Sequence, residues 1–221
     1  MLKTFGELNW WPIHSNYHKK NSTDPRFEII IGAILTQNTS WTNVEKAIDN
    51  LKYKNKLDIS SILEIDINIL KLLIRPSGFF NQKSERLKNI SKYFYDRYES
   101  NLDIFFNKNT LELREELLEL KGIGPETADS ILLYAGDKPI FVVDSYTKRL
   151  CKRIPIKTER TYDKIQEYFQ KNFSNIYEED ELPKIYNQMH AMIVELAKNY
   201  CRKKPRCKNC PIKKYCNFWK N

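Results

Sequence analysis

Four of the chain's five cysteines, Cys201, Cys207, Cys210 and Cys216, fall within 16 residues of one another. Thiols gathered so closely in a chain expected to sit in the reducing cytoplasm suit metal ligation better than disulfides. Their spacing, C-x5-C-x2-C-x5-C, has one tight pair and two wide gaps. Structural zinc sites more often use two tight pairs, and four thiolates can also hold a [4Fe-4S] cluster. Around them, residues 201–221 carry eight Lys or Arg and no Asp or Glu, while the other 200 residues hold 29 basic against 28 acidic side chains. Nearly all of the net charge of +9 therefore lies in one short segment, which points to a polyanionic partner. A solvated Lys-rich surface is the competing explanation. Cys151 stands apart and is expected to be a buried core residue.

Two further groups carry chemistry. Val142-Val143-Asp144-Ser145-Tyr146 places a carboxylate between an apolar stretch and a helix start. Taken alone, Asp144 is a helix cap. Leu120-Lys121-Gly122-Ile123-Gly124-Pro125 joins two helical patterns through a Gly-Ile-Gly turn. Glycines there let backbone approach a phosphate without Cβ obstruction, and the following helix start offers N–H groups to an anion. Such contacts hold a duplex without reading its sequence, although any sharp helix–helix corner could use the same glycines.

The elements that position these groups are expected to be helices. Glycines are few, at 6, and alternating apolar stretches are scarce. Asp24-Pro25 is a cap followed by a first-turn proline, and Phe27, Ile30, Ile31, Ile34 and Leu35 repeat at helical spacing behind it. Further helices are expected after Asn43, over 62–74 in one or two pieces, and over 82–98. The stretch 113–135 should be two helices broken by the Gly-Ile-Gly turn; 145–151, 161–173 and 183–200 complete the set. Residues 139–144 could pass for a strand but are too short and isolated to build a sheet. The composition, 41% apolar and 29% charged, is that of a soluble globular chain, and the longest apolar run, Ile29 to Leu35, is far too short for a membrane span. No apolar signal core opens the sequence, so a cytoplasmic protein is expected.

Together the hairpin (LKGIGPETAD), the aspartate segment (VVDSYTKRL), the upstream run Gly32-Ala33-Ile34-Leu35-Thr36-Gln37-Asn38-Thr39 and the cysteine segment resemble the helix-hairpin-helix DNA glycosylases related to endonuclease III. The likeness runs from about Phe27 to Cys216. It implies an all-α fold of two helical domains: an inserted six-helix barrel over roughly 28–135 with the hairpin near 113–135, and a second domain from 1–27 plus 136–221 carrying the cysteines. It implies double-stranded DNA containing a damaged base as partner, bound in the cleft between the domains by a monomer with the base flipped out. Lys121, Gly122, Ile123 and Gly124 would contact the backbone. Asn38, with Gln37 beside it, matches the residue that fills the gap. Asp144 matches the catalytic aspartate, which stabilises the oxocarbenium-like sugar and could orient water. The four cysteines would bind a [4Fe-4S] cluster, although the family's first gap usually has six residues and this chain has five.

One departure bears on the chemistry. Members with lyase activity carry a lysine two residues after the last turn glycine, where this chain has Glu126. A carboxylate cannot form an imine, so the resemblance implies a monofunctional glycosylase. A bifunctional glycosylase/AP lyase is the second enzyme alternative, and a non-catalytic DNA-binding module is the alternative of another class. The 3-methyladenine branch is the nearest in detail: Trp10-Trp11-Pro12 before the first barrel helix, Trp41 shortly after Gln37-Asn38-Thr39, the run from Arg75 to Lys83, and Glu126. Trp10, Trp11, Trp41 and Lys198 would line the base pocket, which could accept an alkylated purine, uracil or oxidised guanine. His14, His18 and His190 are expected to be ordinary surface or core histidines.

Overall fold

The computed structural model describes residues 1–8 and 10–220, the last without its side chain. After α1 (Leu2–Phe5) come α2 (Ser15–Asn21), α3 (Pro25–Leu35), α4 (Trp41–Tyr53), α5 (Ile59–Glu64), α6 (Ile67–Ile74), α7 (Phe80–Tyr98), α8 (Leu102–Phe106), α9 (Thr110–Glu119) and α10 (Pro125–Gly136). These are followed by α11 (Ser145–Cys151), α12 (Tyr162–Ser174), α13 (Leu182–Asn199) and α14 (Asn217–Lys220). Among the described residues none is in a β-strand. The chain divides into two compact units, residues 11–136 and residues 1–10 with 137–221.

The 11–136 unit is organised around α3. The Asp24 side chain accepts from the Arg26 amide at 2.8 Å, and Pro25 occupies the first turn, so the start is fixed as its sequence implies. Every residue from Phe27 to Leu35 is buried, and α3 packs on α4, α7 and α10. Each large apolar side chain so buried contributes roughly 1.5–3 kcal/mol. Residues 11–27 belong to this unit because Trp11 packs on Gly32 and because His14 and His18 both bind Glu28 of α3. The helix expected after Asn43 in fact begins at Trp41. The Ser40 carbonyl accepts from both Asn43 and Val44 N–H, which pulls Trp41 and Thr42 into the first turn. The 62–74 segment is two helices, and a 3-10 turn over Arg75–Ser77 leads into α7.

In the other unit α13 packs against α1 and α11, and α11 against α12. Ile140 to Val143 are buried yet pair with no strand. Side chains of α12 stand in for one: Gln166 Nε2 donates to the Phe141 carbonyl at 2.7 Å, and the Phe141 amide donates to Gln170 Oε1 at 3.0 Å. Buried backbone groups must be paired, and these glutamines meet that demand. The Phe141 ring stacks on Phe169, with centroids 4.4 Å apart. This anchored segment delivers the chain to Asp144. Among the described residues no helix is long and apolar enough to cross a membrane.

Candidate active site, hairpin and cysteine loop

Asp144 is the N-cap of α11. Its Oδ1 accepts from the Thr147 amide at 2.7 Å, which fixes the carboxylate plane. Its Oδ2 lies 3.6 Å from His190 Nε2, an ion-pair distance longer than a hydrogen bond. Asp144 is only 9% exposed. Burial alone would raise its pKa, but the His190 imidazole and the Thr147 contacts outweigh that effect and hold it below the usual aspartate value. The result is a buried carboxylate kept ionised. The cap role expected from sequence is real, and it is what orients the group.

The four aromatic and basic pocket candidates fall into two groups, one in each unit. Trp10 meets His190 edge to face at 6.2 Å, and Lys198 Nζ sits 5.4 Å from the Trp10 ring. Lys198 is also within 3.3 Å of Glu195. Trp10 and Lys198 thus belong with Asp144 and His190. In the 11–136 unit Trp11 packs edge-on to Trp41 at 5.0 Å and against Tyr134 at 5.4 Å. A Cβ at Gly32 would come within 2.8 Å of Trp11 Cζ2, so only glycine lets this indole lie so close to α3.

The hairpin between α9 and α10 is held by Asp129, fully buried, which accepts from Arg114 Nε at 2.7 Å and from Nη2 at 3.3 Å. That bidentate pair spans the two helices and fixes their angle. Gly122 has φ 88, and a Cβ there would collide with the Arg86 side chain. Its glycine is therefore required from inside the fold. Nothing lies within 4 Å of a Cβ placed on Gly124, so no packing inside the fold demands a glycine there. Lys121 is exposed, Ile123 is buried, and Glu126 is exposed in the first turn of α10.

Gln37 and Asn38 behave differently. Gln37 Nε2 donates to the Gly122 carbonyl at 3.0 Å and to Thr127 Oγ1 at 2.8 Å, and Gln37 Oε1 accepts from Arg86. Asn38 is exposed at the loop tip with φ 56.

Cys201, Cys207, Cys210 and Cys216 carry free thiols and line one small cavity, with Leu150, Ile212 and Phe218 among its apolar walls. Arg153 organises the loop: it donates to Cys201 Sγ at 3.2 Å and to the carbonyls of Arg202 and Lys203, while Cys216 Sγ donates to the Arg153 carbonyl at 3.3 Å. Burial pushes the Cys210 thiol up, and the other three cysteines push it in the same direction. Among the described residues no group of three or more His, Cys, Asp or Glu is gathered to hold a single metal ion. Cys151 is fully buried, and burial raises its thiol to about 11, as suits a core residue.

Sequence alone did not single out His190, Arg86 or Arg153. His14 is a surface histidine and His18 a buried one, and both bind Glu28. Each of the three missed residues meets its partner tens of residues away in sequence, which leaves no local signal.

A capped, buried aspartate in one unit and a glycine hairpin in the other are two features of one chain. The family described as HhH-GPD superfamily base excision DNA repair protein matches residues 31–175. The chain belongs to that superfamily. It is 48% identical over 218 residues, 98% of this chain and 92% of the other, to a protein of Methanocaldococcus jannaschii provisionally named a DNA repair glycosylase. It is 29% identical to endonuclease III of Thermotoga maritima, covering 92% of this chain and 86% of that one. The structure of the H. pylori 3-methyladenine DNA glycosylase bound to 1,N6-ethenoadenine superposes with a TM-score of 0.68 at 33% identity, over 83% of this chain and 92% of that one. A trapped endonuclease III–DNA covalent intermediate shares the fold, with a TM-score of 0.71 at 18% identity over 93% of both chains.

Proposed function

We propose that this protein is a monofunctional DNA N-glycosylase that extrudes a damaged base, an alkylated purine first among candidates, from duplex DNA and hydrolyses its glycosidic bond. The observation that carries this is Asp144, buried and held ionised with one oxygen fixed by the Thr147 amide. A carboxylate so placed stabilises the positive charge that develops on the sugar and orients an attacking water. Glu126 stands where a lyase would need an amine, so water is the nucleophile. Lys121 and the backbone of Gly122, Ile123 and Gly124 grip phosphates. Trp10, Trp11, Trp41 and Lys198 receive the base, whose electron-poor face suits stacking on indoles. The alkylated-purine preference is supported by the 33% identity to the H. pylori enzyme. The protein acts as a cytoplasmic monomer, with the expected 28–135 barrel and residues 11–27 in one compact unit.

The cysteine loop fits an iron–sulfur cluster. Four thiols outside any disulfide face one cavity, and the Arg153 guanidinium donates to the Cys201 sulfur. Cys201, Cys207, Cys210 and Cys216 would hold a [4Fe-4S] cluster, which when bound would tie down the basic loop from Arg202 to Lys208. Purified protein should be brown and contain iron; colourless protein with stoichiometric zinc would exclude the cluster.

The test of the activity is a panel of duplexes, each with one lesion: 1,N6-ethenoadenine, 3-methyladenine, uracil or 8-oxoguanine. Free base should be released from an alkylated purine, with strand breaks appearing only after alkali. Release confined to uracil or 8-oxoguanine would overturn the substrate class. Binding without release from any of them would make the chain a DNA-binding module.

A further inference from the structure

The loop after α3 is held from two directions, and one of these holds, through Arg86 and Gln37, also reaches the hairpin. Lys83 of α7, 1% exposed, donates from Nζ to the Leu35 and Ser77 carbonyls at 2.7 Å each, which fixes the end of α3 from below. One turn along α7, Arg86 donates to Gln37 Oε1, and its side chain fills the space that a Cβ on Gly122 would need. Gln37 then reaches the hairpin on both sides of its turn, at the Gly122 carbonyl and at Thr127 Oγ1. With its amide thus bonded at both ends, Gln37 is committed to the protein. Its neighbour Asn38 is exposed in left-handed backbone, a conformation that asparagine tolerates better than most residues.

We propose that Gln37 and Arg86 form a latch that couples the hairpin to the loop tip, so that seating the hairpin on the DNA backbone fixes Asn38 in position to fill the gap left by an extruded base. This rests on the glycosylase function proposed above and adds two positioning residues to it. Hydrogen bonds across 85 and 90 residues of sequence join loop and hairpin. A shift of the hairpin on binding is therefore carried directly to residue 37 and its neighbour. The latch predicts a defect in holding the base out of the helix, with the chemistry at Asp144 untouched.

Two DNAs carrying one 1,N6-ethenoadenine separate these effects, one a paired duplex and the other a single strand in which no base need be extruded. Arg86→Met should slow release from the duplex about tenfold, the equivalent of one lost hydrogen bond, and leave release from the single strand unchanged. Equal losses on both DNAs would reduce Arg86 to a structural residue. Faster release from the duplex would mean that Gln37 is itself the inserted residue, restrained by its bonds; either result overturns the latch. Thr127→Val removes one of the Gln37 bonds with little change of shape. It should show a smaller loss of the same kind and keeps the test alive if Arg86→Met does not fold. Hydrogen exchange needs no activity: amides 36–39 should exchange faster in both variants, with the α9–α10 hairpin unchanged. Unaltered exchange there would overturn the latch. If the parent releases no base from either DNA, the glycosylase proposal fails on this lesion and the exchange result still decides the coupling.

Discussion

Glu28 and Asp144 are both carboxylates buried among helices, and each faces histidine. Glu28, 1% exposed, accepts from His14 Nδ1 at 2.9 Å on one oxygen; on the other it meets His18 Nε2 at 2.7 Å and the His14 amide at 3.3 Å. His18 is held in turn by Thr23 Oγ1 at 2.8 Å. Both oxygens are engaged by protein donors at hydrogen-bond distance, and the group joins α2 and the segment before it to α3. Asp144 has one oxygen fixed by the Thr147 amide and the other at 3.6 Å from His190. Under the function proposed above, the contrast separates a carboxylate used to hold a structure from one whose charge is held ready for a substrate. Burial is common to the two, so burial by itself does not mark a working acid. What sets Asp144 apart is that its second oxygen faces His190 Nε2 at 3.6 Å, beyond hydrogen-bond distance.

The largest effect that can break this comparison is on rate. Asp144→Asn should lower base release by roughly 10²–10³ while leaving binding to lesion DNA in place, because one charge at the developing cation is lost. Glu28→Gln should release base at close to the parental rate, measured under single turnover. A similar loss in both variants would mean that both carboxylates serve the fold alone. The order reverses for stability. Asparagine caps a helix about as well as aspartate, so Asp144→Asn should keep the cap and lose only the pH-linked part of the stability. Glu28→Gln leaves a buried histidine short of an acceptor and should cost about 1–3 kcal/mol, read by denaturant titration. A finer effect concerns pH. Burial raises the Asp144 pKa, and His190 together with the Thr147 contacts more than offsets this, so the folded value lies below the unfolded one. Its contribution to stability is present above the unfolded aspartate value and is lost as pH falls through the lowered folded value. Base release should fail in the same acid range, and His190→Gln should move that acid limb to higher pH. An unmoved limb would show that His190 does not act on Asp144.

Much of this architecture is written locally. Asp24-Pro25 starts α3, and Ser145–Cys151 is the helix that its pattern implies, because caps and apolar periodicity act within a few residues. The helices Leu2–Phe5, Ser15–Asn21 and Leu102–Phe106 were not legible, since so few turns leave no period to detect. Trp41 entered α4 because the Ser40 carbonyl receives the first helical bonds, a backbone event that no side-chain pattern announces. The site divides the same way. Asp144 and the Gly-Ile-Gly turn stand out in sequence as a cap and a corner. Their partners His190, Arg86 and Arg153 do not, because each meets its target only through tertiary packing. Arg153 reaches Cys201 across 48 residues and Arg86 reaches Gln37 across 49. Gly122 was legible as a special glycine, but the side chain that demands it came from α7.

The central claim is that cleavage at this site uses water under Asp144, with no amine as nucleophile. Borohydride added during turnover of an alkylated-purine duplex tests it most directly, because only an imine between protein and C1′ is reduced to a stable adduct. The account predicts no covalent protein–DNA species from the parent, intact strands until alkali is added, and weak trapping once Glu126→Lys restores an amine near the sugar. Efficient trapping by the parent would contradict it and would direct attention to Lys121 and Lys198.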